Sequence, residues 1–184
     1  MRGIALFGNG EPANDILGGG VFVNRSLRDR WYAGVAIERY SFDFERVAGV
    51  VGITQAPSES DIDAKATNNV LSAFIGRRYG ANERGLQLYW TAGLGVNFPS
   101  VDDANGPTAT GGTFDVTTDA GTELHVLSSA GLRYAFSQRW SVDVAARLEH
   151  HFMDYQVRDR VSGNTREIDS QSPWGVHFGF TYGF

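Results

Sequence analysis

Hydrophobic and polar positions alternate with a period of two along most of this chain, and no stretch carries a helical stripe of useful length. The C-terminal segment is the clearest. One parity reads Trp174, Val176, Phe178, Phe180, Tyr182 and Phe184; the other reads Gly175, His177, Gly179, Thr181 and Gly183. The separation recurs in Leu86–Phe98, where Leu86, Leu88, Trp90, Ala92, Leu94, Val96 and Phe98 oppose Gln87, Tyr89, Thr91, Gly93, Gly95 and Asn97. In Glu123–Phe136 the apolar parity runs from Leu124 to Phe136 and the other carries Glu123, His125, Leu127, Ser129, Gly131, Arg133 and Ala135. In Trp140–Phe152 it runs from Trp140 to Phe152 against Ser141, Asp143, Ala145, Arg147, Glu149 and His151.

Three more segments are strand-like with less regular faces. Trp31–Phe44 sets Trp31, Ala33, Val35 and Ile37 against Tyr32, Gly34, Ala36, Glu38 and Tyr40, then loses its alternation near Arg39. Leu17–Arg25 and Ala66–Tyr79 give no clear face assignment. A first strand over Arg2–Gly8 completes eight. The connections alternate in length: short around Ser26–Arg30, Ala81–Gly85 and Ser137–Arg139, longer at Asn9–Asp15, Arg46–Lys65, Ser100–Gly121 and Arg158–Ser172. All short turns then fall at the end where the chain terminates, the asymmetry of an outer-membrane barrel with short periplasmic turns and long external loops. The extended Thr108–Thr122 run is expected to prolong the strands as a hairpin beyond the membrane.

Whether the apolar parity faces out or in decides the class. Charged groups at mid-strand on the opposite parity, interleaved with glycine, suit a narrow lumen in which buried charges must find partners. Aromatic side chains cluster at both ends of the apolar parity, as in interfacial girdles, and that parity lasts about ten residues, enough for a tilted strand to cross a bilayer. The chain is therefore predicted to be all-β, one domain over residues 1–184, forming an eight-stranded antiparallel up-and-down transmembrane β-barrel. The girdle residues are Trp31, Trp140, Trp174, Tyr182 and Phe184; the lumen polar network is Glu38, His125, Arg133, Asp143, Arg147, Glu149 and His177. A soluble lipocalin-like or streptavidin-like barrel, with the apolar parity lining a ligand cavity, is the competing architecture.

Composition removes other classes. The 184 residues carry a net charge of −5, which offers no basic stripe for nucleic acid. There is no cysteine, so disulfides, thiolate metal sites and thiol nucleophiles are excluded, and Lys65 is the one lysine. The mean hydropathy of −0.24 is compatible with a membrane barrel, in which only alternate residues meet lipid. The start Met1–Asn9 is too short in its apolar run for a signal peptide and is read as the start of a mature chain.

The ending Phe178-Gly179-Phe180-Thr181-Tyr182-Gly183-Phe184 resembles the terminal strand of outer-membrane barrels. Ala92-Gly93-Leu94-Gly95-Val96, and Ala130 to Phe136 before the turn Ser137-Gln138-Arg139, resemble the small OmpA/OmpX-like family. The resemblance implies a bacterial outer-membrane location, a polar plugged interior, external loops as binding surface, contact with lipid bilayer and lipopolysaccharide, and delivery to the barrel-assembly machinery through Phe184. It implies no cofactor.

Candidate chemistry was weighed against that background. Lipid A-modifying barrels, deacylases or acyltransferases, are similar in architecture and use a Ser, a His and a carboxylate near the external leaflet. The best such set here is His150 with Ser128, with Asp154 on the parity of His150 but further toward the loop. On the inward parity His125, Ser129, Glu149, His151 and His177 read either as a triad or metal site or, the reading adopted, as part of the hydrogen-bonded lumen network. No catalytic and no metal residue is assigned. The acidic loop residues Glu59, Asp61, Asp63, Asp102, Asp103, Asp115 and Asp119 lack the spacing of an EF-hand. Eight strands leave too little room for a solute diffusion pore.

Overall fold

The computed structural model describes residues 1–7, 15–44, 64–80, 84–107, 111–152, 155–168 and 171–182. Eight strands close the barrel: β1 (Arg2–Phe7), β2 (Asp15–Ser26), β3 (Trp31–Phe44), β4 (Ala64–Tyr79), β5 (Gly85–Val101), β8 (Glu123–Ala135), β9 (Trp140–Phe152) and β12 (Trp174–Tyr182). Each pairs antiparallel with its neighbours, and β1 pairs with β12 to shut the sheet. The bonding of the last strand to the first closes the sheet over the length of β1.

Parity separates the two faces as the alternation predicts. Outward stand Val23 at 72 % exposure, Leu94, Leu124, Leu148, and Phe178 at 61 %. Inward stand Arg147 at 1 %, His177 and Glu38. The segments with ambiguous faces also resolve: Val21, Val23, Leu71 and Ile75 point out, while Val70, Ser72 and Phe74 point in. Along β3 the outward row turns polar at Arg39, Ser41 and Asp43, and Asp43 pairs in register with Lys65. The loss of alternation near Arg39 therefore marks where the outer face stops being apolar, while the strand itself continues to Phe44.

Glycines on the inner face let large side chains lie flat against the wall. A Cβ on Gly95 would meet His125 Cε1 at 2.5 Å, and one on Gly20 would meet Glu38 Cγ at 2.7 Å. The inside is less uniformly polar than expected. Ile4, Leu6, Ile16, Tyr40 and Val70 form one buried cluster; Tyr32, Ala36, Phe74, Tyr89 and Ala145 form another.

The long connections hold more structure than the sequence reading allowed. Four short strands, β6 (Ala104–Pro107), β7 (Thr113–Ala120), β10 (Tyr155–Asp159) and β11 (Thr165–Ile168), make a second sheet in the order β11-β10-β7-β6. The Thr108–Thr122 region thus does not simply prolong the barrel strands: β7 pairs with β6 on one side and with β10, from another connection, on the other. Alternation explains why. Phe114, Val116, Tyr155 and Val157 are buried against Ala64, Ala66 and Ala104, so the small sheet has one apolar face and seals it on the inner wall of β4. Each such side chain contributes about 1.5–3 kcal/mol on burial.

Candidate functional site

Three strands bring the charged centre of the lumen together. Glu38 comes from β3 and Arg147 and Glu149 from β9, with Asn97 from β5 alongside. The Arg147 guanidinium donates to both carboxylate oxygens of Glu38, Nη1 to Oε1 at 2.9 Å and Nη2 to Oε2 at 2.6 Å. This is the bidentate geometry that a planar guanidinium matches best. Its Nη2 also donates to the Tyr40 hydroxyl at 2.9 Å, and its Nε pairs with Glu149 Oε1. The Tyr40 hydroxyl lies 3.0 Å from Glu38 Oε2 and 3.1 Å from Glu149 Oε1, so its one proton can serve either carboxylate. Arg2 from β1 stands 3.7 Å from Glu38 Oε1 and adds a second positive charge.

His151 extends the network. Its Nε2 lies 2.8 Å from Glu149 Oε2 and its Nδ1 lies 2.6 Å from Asn97 Nδ2. An Nε2–H tautomer satisfies both contacts: the ring donates to the carboxylate and accepts from the amide. His125 stacks on His151 with ring centroids 5.5 Å apart. Two carboxylates, Glu38 and Glu149, thus face two guanidinium groups, Arg147 and Arg2.

A second group sits nearer the short turns. Asp143 Oδ2 accepts from the Tyr89 hydroxyl at 2.9 Å and lies 3.3 Å from His177 Nε2, which is itself 2.8 Å from the same hydroxyl. Arg133 donates from Nε to Ser141 Oγ at 2.9 Å. All seven residues of the expected lumen network therefore point inward, but they fall into two groups: Glu38, Arg147, Glu149 and the stacked His125 above, and Asp143, His177 and Arg133 below. The reading of charges alone missed Tyr40, Tyr89 and Asn97, which share the inward parity and supply the connecting hydrogen bonds. It also missed Arg2, whose strand had no assigned face.

Chemically, the centre holds paired charge. The two acids and the Arg147 guanidinium are committed to one another. Near the loop end, between Tyr40, His151 and Tyr155, the free volume is about 20 Å³; between Arg2, Tyr89 and Asp143 it is about 30 Å³. Each holds about one water. Toward the short turns, beside Met1, a vestibule of about 770 Å³ is lined both by inward residues such as Arg78 and Arg133 and by outward ones such as Val23 and Phe180.

On the outside, the pairing register puts Ser128 opposite Leu148 and Val126 opposite His150, so the Ser128–His150 candidates of the enzyme alternative are offset by two residues along the strands. His150 Nδ1 instead lies 2.7 Å from Ser172 Oγ, and its ring packs edge-on against Phe152. Asp154 lies outside the described residues, as do Glu59, Asp61 and Asp63. Asp103 and Asp115 are bridged by Arg160 at 3.4 and 3.3 Å.

The aromatic residues occupy strand ends. Trp31, Trp140 and Tyr182 stand at the short-turn end, with Trp140 and Tyr182 rings 4.4 Å apart and Trp31 edge-on to Trp90 at 5.6 Å. Trp174 stands at the loop end, 5.4 Å from Phe7. Phe184 lies outside the described residues.

No family model and no curated protein matches the chain. Among solved structures it is similar to the crystal structure of Neisserial surface protein A, with a TM-score of 0.50 and 12 % identity, covering 96 % of this chain and 90 % of that one. At that identity the likeness is one of fold.

Proposed function

We propose that this chain is an integral barrel of a bacterial outer membrane, of the OmpA/OmpX-like kind, that serves the envelope as a structural or surface-binding protein. The observation that carries the reading is the outer face. Bulky apolar side chains circle the barrel on its outward parity, and their exposure far exceeds the few hundred Å² of contiguous apolar patch that a monomeric soluble protein shows. On β8 the outward apolar row runs from Leu124 to Tyr134. At about 3.4 Å per residue and a tilt near 45°, that row spans about 24 Å, matching the apolar band of such barrels. Hydrocarbon is the solvent that fits it. In that setting Trp31, Trp140, Tyr182 and Trp174 act as interfacial anchors.

The network of Glu38, Arg147 and Glu149 then acts as a plug that braces the wall and blocks solute passage. The small sheet and the long connections form the external surface, available to lipopolysaccharide or to a ligand. Phe184 is the assembly signal. Gel mobility tests the membrane reading: a folded barrel migrates differently in SDS before and after boiling. A chain that purifies folded and monodisperse without detergent overturns it.

A second reading, a lipid A-modifying enzyme on this scaffold, is favoured by one contact, the 2.7 Å approach of His150 to Ser172 on the outer face near the loop end. Ser172→Ala with mass spectrometry of lipid A tests it; an unchanged lipid profile removes the enzyme.

A further inference from the structure

The charged groups that line the vestibule at the short-turn end are of one sign. Its lining includes Arg25, Arg30, Arg78, Arg133, Gln87 and Gln138, together with the outward-facing Val23, Phe180 and Tyr182 beside Met1, and no described carboxylate. This is notable in a chain whose net charge is −5. Arginine is concentrated nearby: Arg25, Arg28, Arg30, Arg77, Arg78 and Arg84 fall in or beside the first two short turns, where Asp29 is the one acidic residue among those described.

Arg78 and Arg133 form the floor and line the smaller cavity above as well. Neither makes an ion pair within the described residues. Arg78 gives one long hydrogen bond to Asn24 Oδ1 at 3.4 Å and lies over the Tyr32 ring at 4.5 Å. Arg133 uses only its Nε, on Ser141. A guanidinium carries five N–H donors, so most of those on this floor have no protein acceptor. Asp143, the nearest acid, shares the smaller cavity with three guanidinium groups, Arg2, Arg78 and Arg133, and is already engaged by Tyr89 and His177. At the rim, Arg30 is held in a left-handed conformation (φ 65°) and donates to the Gly80 carbonyl, tying the first short turn to the second. The rim is therefore a braced structure.

We propose that this vestibule is an oxyanion site for a phosphate-bearing ligand, with Arg78 and Arg133 as its floor and Arg25 and Arg30 as its rim. Planar guanidinium donors pair with phosphate oxygens bidentately, and converging ones do so best when no carboxylate competes. A volume of about 770 Å³ admits a small phosphorylated molecule or the head group of an anionic phospholipid. That it faces the periplasm rests on the outer-membrane reading; the binding itself does not.

Calorimetry on the full-length barrel in a neutral detergent tests it, with inorganic pyrophosphate and glycerophosphoglycerol as separate probes. Saturable binding of pyrophosphate is expected, weakened roughly tenfold or more in the Arg78→Gln/Arg133→Gln double variant. An Arg158→Gln/Arg166→Gln control on the small external sheet should bind as wild type does. If glycerophosphoglycerol binds comparably, the ligand is a lipid head group; if pyrophosphate alone binds, it is a soluble phosphate. Heat-modifiable mobility confirms the fold of each variant, and the rim variant Arg25→Gln stands in if the double variant does not fold, with weaker binding expected. Absence of saturable binding of both probes, or binding unchanged by the substitutions, overturns the proposal. A barrel that binds pyrophosphate yet needs no detergent keeps the site and overturns the membrane reading instead.

Discussion

In the half of the lumen nearer the loops, Arg147 is 1 % exposed and meets Glu38 and Glu149, whereas at the short-turn end Arg78 and Arg133 line a vestibule of about 770 Å³ with no described carboxylate on its wall. The same residue type, on the same inward parity, is thus a neutralised strut in one place and an unpaired donor in the other. Burial makes the difference. Where the small sheet covers the mouth with Tyr155, there is room for about one water and each charge needs a protein partner. Where the lumen is open, water solvates the guanidinium groups and no partner is required.

That contrast predicts unequal costs for similar substitutions. Arg147→Met leaves Glu38 and Glu149 buried without their cation and should cost about 3–5 kcal/mol in urea unfolding from lipid vesicles. Replacing Glu38 and Glu149 with leucine in the same chain should recover much of the loss, because an apolar trio needs no counter-charge. Phe178→Arg puts a charge at the middle of the outer face and should cost about 2–4 kcal/mol in the same assay, if that face meets hydrocarbon. Gly95→Ala brings a methyl against His125 and should cost about 1–3 kcal/mol by overpacking. Arg78→Gln, in the open half, should change stability by no more than about 0.5 kcal/mol. A large loss there would mean that the two halves do not differ as described.

The external sheet supplies the smallest and most local effect. Burial alone would raise the Asp159 carboxyl, but hydrogen bonds from Ser162 and from backbone N–H groups of Asp115 and Val161 outweigh it and hold it below the usual carboxylate range. A depressed native value means that its contribution is complete above the unfolded-chain value and is lost as pH falls through the native one. Limited proteolysis of the turn between β10 and β11 should therefore be flat near neutrality and rise only in acid. Asp159→Asn should raise cleavage at neutral pH.

The sequence carried the barrel well because a wall facing two different solvents must alternate, and β5, β8, β9 and β12 do so without interruption. It carried β2 and β4 poorly: Gly18, Gly19 and Gly20 have no side chain to declare a face, and Asn68 and Asn69 are polar on both. The membership of the lumen network was legible for the same reason as the wall, but its pairing was not. Arg147 and Glu38 are 109 residues apart and meet across the lumen, a contact that depends on register and closure. Ser128 and His150 show the converse: shared parity on adjacent strands does not make a pair when the register places them two residues apart. The small sheet escaped notice because three of its four strands, such as Tyr155–Asp159, have only four or five residues, too few for a period to stand out, and because they come from two separate connections.

The chain has no cysteine, so single-cysteine variants along β9 can each carry a spin label without background. In vesicles, labels at Val142, Val144, Ala146 and Leu148 should be relaxed strongly by oxygen, which concentrates in hydrocarbon, and weakly by a water-soluble nickel chelate, with the intervening inward positions losing the oxygen signal. Equal access of the nickel chelate to both sets of positions would contradict the claim that the apolar face of this barrel looks into lipid.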